Sequence, residues 1–161
     1  MMKTIRFVLT ILALIAQPAR ADPYEDAIAA VERGDYETAA GILKGFAEQG
    51  NPGAQAALAL LYDMGHGVPQ DSAEAVRWYR LAAAQGDKSA RYNLAGMYDA
   101  GVGVAADPLR AYLWFDLSVA AGNKEAAAER DEVAKKLSAE QTAQAQAMAA
   151  ACTKNAPKLC D

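Results

Sequence analysis

His66 is the only histidine of the 161-residue chain, and it lies between two glycines in the segment YDMGHGVPQD. Histidine often serves as a general base or as a metal ligand near neutral pH. A single histidine cannot form a two-histidine zinc site, however, and the sequence has no H-E-x-x-H, G-x-S-x-G or phosphate-loop motif. We therefore interpret His66 as a residue that fills a turn, and we predict no catalytic residue and no metal site.

A second segment that could indicate a functional site is Gly101-Val-Gly103-Val-Ala-Ala106. It matches the loose dinucleotide-binding pattern G-x-G-x-x-A. That pattern binds a cofactor only where a strand precedes it and a helix opens within it. Here an amphipathic helical pattern precedes the glycines, so we predict no cofactor.

Two aspartates, Asp63 and Asp99, lie 36 residues apart in similar surroundings. Carboxylates that recur at a fixed interval are consistent with an acidic edge on a binding face. They are also consistent with the solvated end of a helix, and the sequence leaves both interpretations open.

The interval between these aspartates is the period of an internal repeat. Residues 51–86 and 87–122 are each 36 residues long and align without a gap. Part of the same unit precedes them in residues 22–50. The identical pairs include Ala54/Ala90, Leu58/Leu94, Tyr62/Tyr98, Gly65/Gly101, Gly67/Gly103, Asp71/Asp107, Trp78/Trp114 and Gly86/Gly122. Such periodicity predicts stacked copies of one supersecondary unit.

Each unit has the pattern of two helices. The first is predicted from about Pro52 to Met64, because apolar residues recur at steps of three and four. The second begins at Asp71, which has the spacing of a capping residue, and ends at Gly86. The position of His66 is taken by valine in the next unit while the flanking glycines recur, so we assign the glycines to the turn. Aromatic pairs recur at the period of the repeat, and they are expected in the core: Trp78 and Tyr79 in the first unit, Trp114 and Phe115 in the second.

These residues form the pattern A-x-x-x-L-[AG]-x-x-Y-x-x-G-x-G-V-x-x-D-x-x-x-A-x-x-W-x-x-x-A-A-x-x-G, which resembles the Sel-one-like repeat (SLR) family. The resemblance implies an all-α fold, a right-handed α/α solenoid related to tetratricopeptide repeats. With a capping hairpin at 22–50 and capping helices in 123–161, we expect eight helices in about four hairpins. Degenerate end units would seal the core of such a stack.

The N-terminus has the features of a secretory signal peptide over residues 1–21. Lys3 and Arg6 precede a ten-residue apolar run, and Ala19-Arg20-Ala21 resembles a cleavage site. A membrane anchor is the alternative, but the run is short for ~30 Å of hydrocarbon. The sequence thus predicts a periplasmic or secreted protein that begins at Asp22.

The predicted mature chain is acidic. The leader holds three of the 16 basic residues and none of the 20 acidic ones, so the net charge of −4 becomes −7 after cleavage. Nucleic acid and anionic membrane surfaces are therefore poor partners.

Two cysteines, Cys152 and Cys160, lie near the C-terminus. In an exported protein such a pair is most simply a disulfide, although two unpaired thiols remain possible.

Some secreted relatives in this family are linked to penicillin binding, so a β-lactamase-like hydrolase is one alternative function. No S-x-x-K or K-T-G motif occurs, however. The resemblance favours a non-catalytic scaffold that binds another protein or peptide. A structural subunit of an envelope assembly is a further alternative, and a glycan ligand stays open.

In tetratricopeptide-like stacks the first helix of each hairpin lines the concave groove, which commonly binds the partner. The motif turns one face of each first helix to the core, which leaves another face for the groove. The predicted groove residues are Ala56, Leu60, Asp63 and Met64 in the first unit and Tyr92, Gly96 and Asp99 in the second.

Overall fold

The computed structural model describes residues 23–155, with side chains from 23 to 152. The predicted leader and Cys160 lie outside this range. Eight helices and no strand occur within it, as the repeat pattern predicts. The helices are α1 Pro23–Glu32, α2 Tyr36–Glu48, α3 Pro52–Met64, α4 Ser72–Ala84, α5 Lys88–Ala100, α6 Pro108–Ala120, α7 Ala126–Ala134 and α8 Ala139–Asn155.

The helices begin where the sequence places capping side chains. The Asp71 carboxylate accepts hydrogen bonds from the backbone N–H groups of Ala73 and Glu74, each at 3.0 Å. Ser138 and Gln141 form a reciprocal capping box at the start of α8. These contacts satisfy donors that the first turn of a helix leaves free. They confirm the start of α4 that Asp71 predicts, and the start of α8 that the capping-box spacing of Ser138-Ala-Glu-Gln141 predicts.

The glycine pairs between the helices of each repeat have the predicted positive φ. Gly65 and Gly67 have φ angles of 69° and 70°, and their equivalents in the second repeat differ by only a degree or two. The second glycine of each pair also lies against the preceding unit. A Cβ on Gly67 would overlap the backbone of Tyr36, and one on Gly103 would overlap the backbone of Ser72. Only glycine fits both the backbone conformation and the space.

The core follows the repeat as well. Trp78 and Trp114 are 5% and 1% exposed, and Tyr79 and Phe115 beside them are also buried. Alanines fill the positions where neighbouring helices approach closely. Large aromatic side chains thus pack against small alanine side chains in one continuous core. This confirms the prediction that the repeated aromatic residues are buried.

Each helix from α1 to α6 packs on the next helix in the chain, which produces an α/α solenoid of helical hairpins. The C-terminal unit is less regular, because α8 packs on α6. The sequence predicts that this last helix ends near Ala151, and it extends to Asn155 instead. α7 has only nine residues. Within the described range, no helix combines the length and the apolar character that a membrane-spanning helix requires.

Candidate functional site

The predicted groove residues of the first repeat expose apolar side chains. Leu60 is 44% exposed and Met64 is 53% exposed, which is unusual for large apolar residues in this protein. Ala56 is partly buried on the same stripe of α3, one helical turn earlier. Steps of four residues place all three on one face of the helix. This face points away from the core that Leu58 and Ala59 occupy.

The predicted residues of the second repeat lie at a cavity. Tyr92, Gly96 and Asp99 of α5 line a space of about 470 Å³, together with Asp63 at the end of α3. Glu129 of α7 borders the same space. The cavity therefore spans the first helices of three successive units. Ala56, Leu60 and Met64 lie outside its lining.

Sequence reasoning missed several lining residues. Phe115 was assigned to the core, and it is indeed buried, but its ring also forms a wall of the cavity. Asn93 follows a predicted groove residue directly, so a wider helical face would have included it. Glu129 lies in a capping unit without the repeat motif, and no pattern in the sequence singles it out.

Two aromatic rings meet at the cavity. The ring of Tyr92 packs on that of Phe115 with centroids 5.5 Å apart and an angle of 66° between the planes. This edge-to-face arrangement is favourable for aromatic pairs. Because Phe115 is held in the core, it fixes the position of the half-buried Tyr92 ring at the surface.

The acidic edge predicted for the groove is partly neutralised within the protein. Lys136, two residues beyond α7, donates to the Asp99 carboxylate at 2.5 Å. Half of the Lys136 side chain is exposed, so the pair contributes only ~0–1 kcal/mol to stability. Asp99 is therefore less available to a partner than the repeat pattern implied.

Asp63 differs from its repeat equivalent. Its carboxylate forms no ion pair within residues 23–152. Its negative charge interacts electrostatically with the neighbouring Tyr79 phenol. Burial raises the pKa of the Tyr79 phenol, and the Asp63 charge raises it further. The Asn93 amide opposes this shift by donating to the phenolic oxygen at 3.1 Å. The cavity thus retains an uncompensated carboxylate beside a neutral phenol.

His66 has a more definite role than the filling of a turn. Its ring stacks on that of Tyr36 with centroids 4.6 Å apart, so it links the first repeat to the hairpin before it. Val102, at the equivalent position of the second repeat, borders the cavity instead. In the part of the chain that the structure describes, no three His, Cys, Asp or Glu side chains form a group able to hold a metal ion.

Stacked helical hairpins with one partly apolar face define an α/α solenoid of the kind that binds polypeptides. Comparison with a family model identifies residues 52–87 and 88–123 as two Sel1 repeats. The chain belongs to the Sel1-like repeat family. Proteins with this repeat generally serve as non-catalytic scaffolds for protein interaction.

Solved structures of relatives agree with this assignment. A protective antigen present in uropathogenic Escherichia coli strains, which displays an SLR fold, is similar with a TM-score of 0.77 and 28% identity. The similarity covers 85% of this chain and 30% of that one. A Sel1 repeat protein from Oxalobacter formigenes has 40% identity and a TM-score of 0.56, over 56% of this chain and 26% of that one. The chain thus spans less than a third of either relative, and no curated protein matches it.

Proposed function

We propose that the protein is an exported scaffold that binds a segment of another protein along the face formed by its first helices. The observation that carries this proposal is that exposed apolar side chains and a cavity occur together on neighbouring first helices. Met64, which is exposed like Leu60, directly follows Asp63 on α3, and Asp63 lines the cavity that Tyr92 of α5 also borders. A polypeptide laid across successive repeats would contact both.

The chemistry of the face favours a segment with apolar anchors. Large apolar side chains that remain exposed on one face of a protein are typical of interaction sites. Tyr92 adds an aromatic ring, and tyrosine is enriched among the residues that dominate binding energy. The partner segment would therefore bury apolar side chains on α3 and approach the cavity with its polar part.

The proposal that the protein is exported is supported by the sequence. Residues 1–21 combine a basic start, a short apolar run and a small-residue cleavage site. The partner is then expected in the periplasm or outside the cell. A scaffold there would connect proteins without catalysing a reaction.

A matched pair of leucines allows a direct test. Leu60 on α3 and Leu81 on α4 are 44% and 43% exposed, so they differ in helix and not in accessibility. A photo-crosslinking amino acid placed at position 60 in cells is expected to capture a specific protein, and the same residue at position 81 is not. The captured protein is then purified and its affinity measured against Leu60→Ser and Leu81→Ser.

We expect Leu60→Ser to weaken direct binding by up to about tenfold, because full burial of a leucine contributes ~1.5–3 kcal/mol and Leu60 is only 44% exposed before binding. Leu81→Ser is expected to leave binding unchanged. Stronger capture at position 81 would place the partner on the second helices, and equal capture would show no preference for the first helices. Either result would refute the proposal.

A further inference from the structure

We propose that the cavity bordered by Asp63, Tyr92, Phe115 and Glu129 accepts one arginine side chain of the partner polypeptide. This inference rests on the proposed function for the identity of the partner as a polypeptide. It adds the type of residue that the site recognises. It also assigns recognition to the carboxylates of Asp63 and Glu129 and not to that of Asp99, which is paired with Lys136.

The charge of the cavity is the first argument. Three acidic side chains border it, and within the described range no lysine or arginine does. Lys136 pairs with Asp99, whereas neither Asp63 nor Glu129 has an ion-pair partner among residues 23–152. Carboxylates that share a partly enclosed space favour a cation from outside, because charges interact more strongly there than in bulk water.

The aromatic wall is the second argument, and it is independent of the charge. The Tyr92 ring packs against Phe115, which is almost fully buried. The cavity therefore has an aromatic wall whose position is fixed before any ligand binds. The face of an aromatic ring attracts cations, and arginine uses this interaction more often than lysine because its planar guanidinium stacks.

The same contact recurs inside the protein. The guanidinium of Arg77 lies 4.1 Å from the centroid of the Trp78 ring. Those of Arg80 and Arg110 lie 5.7 and 5.9 Å from the centroid of Tyr98. Arginine against an aromatic ring is thus a combination that this fold already uses in its own packing.

The size of the cavity is consistent with a side chain and part of its backbone. A volume of about 470 Å³ falls within the range of ~300–1,000 Å³ found for ligand sites. It exceeds what a single ion would fill. Asp63 at the cavity directly precedes the exposed Met64 on α3, so an arginine near an apolar anchor in one segment would engage both.

The test uses two small probes and the purified protein labelled with ¹⁵N. Nα-acetyl-arginine methylamide is titrated and followed by nuclear magnetic resonance, and the citrulline analogue serves as its uncharged isostere. We expect the arginine probe to shift the amide signals of Asn93, Gly96 and Val102. Its affinity should exceed that of the citrulline probe by about tenfold, the factor that corresponds to ~1.4 kcal/mol.

Variants with matched charge identify the carboxylates. Asp63→Asn/Glu129→Gln should abolish the preference for arginine. Asp26→Asn/Glu140→Gln removes the same charge from exposed positions on α1 and α8 and should keep the preference. Tyr92→Leu should weaken arginine binding while the spectrum of the folded protein is retained.

Equal affinity for the arginine and citrulline probes would overturn the inference. Equal loss of preference in both double variants would also overturn it, because the effect would then be one of net charge. Calcium chloride that reproduces the shifts of the arginine probe at lower concentration would indicate a metal site instead and refute it. None of these results depends on the natural partner, so they are distinguishable from a failure of the crosslinking test.

Discussion

Gly67→Ala offers a quantitative test of how the repeats are joined. Alanine at φ = 70° costs about 1–2 kcal/mol, because the left-handed region disfavours a Cβ. At Gly67 the added Cβ also overlaps the carbonyl carbon and oxygen of Tyr36. Overpacking of this kind typically costs a further ~1–3 kcal/mol. The expected loss in the free energy of unfolding is therefore about 2–5 kcal/mol, from the sum of these two effects.

Gly122→Ala is the matched control, because Gly122 has a φ of 90° but a Cβ added there would meet no atom within 4 Å. Alanine reduces the entropy of the unfolded chain similarly at both positions, so this contribution cancels. Urea unfolding followed by circular dichroism gives the two values. If the two substitutions differ by less than ~0.5 kcal/mol, which is the usual effect of a surface change, the contact with Tyr36 does not join the repeats.

Two further predictions concern the core and the processing of the chain. Trp114→Ala should lower the free energy of unfolding by about 3–5 kcal/mol, as for other buried aromatic residues, and an unchanged urea midpoint would contradict its place in the core. The exported protein should begin at Asp22 and contain a Cys152–Cys160 disulfide. Intact-mass analysis with and without reductant before alkylation checks both, and a mass that includes residues 1–21, or that rises by two alkyl groups without reductant, would contradict them.

The repeated part of the fold could be predicted from the sequence because each signal acts locally. Asp71 caps the helix that it directly precedes, and Gly65 and Gly67 occupy conformations that few other residues tolerate. The tryptophans recur at the period of the units and therefore share one environment. These features depend on neighbours within a few residues or on an identical neighbouring unit.

The candidate site was predicted less completely because it depends on contacts between unlike units. Lys136 pairs with Asp99 across 37 positions, and it belongs to a segment that lacks the repeat motif. Glu129 lies in the same segment. Phe115 contributes to both the core and the cavity, whereas a helical pattern assigns each residue to one face. Asp63, Tyr92 and Gly96 were found because the motif leaves their face of the first helices free.

The glycine contact between units has a consequence for how this protein can change. Gly67 meets the backbone of Tyr36, and Gly103 meets that of Ser72, so the spacing of adjacent hairpins is set by main chain against main chain. Side chains at the joint need not match, and tyrosine and serine already occupy equivalent places. A 36-residue block could accordingly be duplicated in tandem to lengthen the solenoid, while the proposed binding face diversifies from block to block.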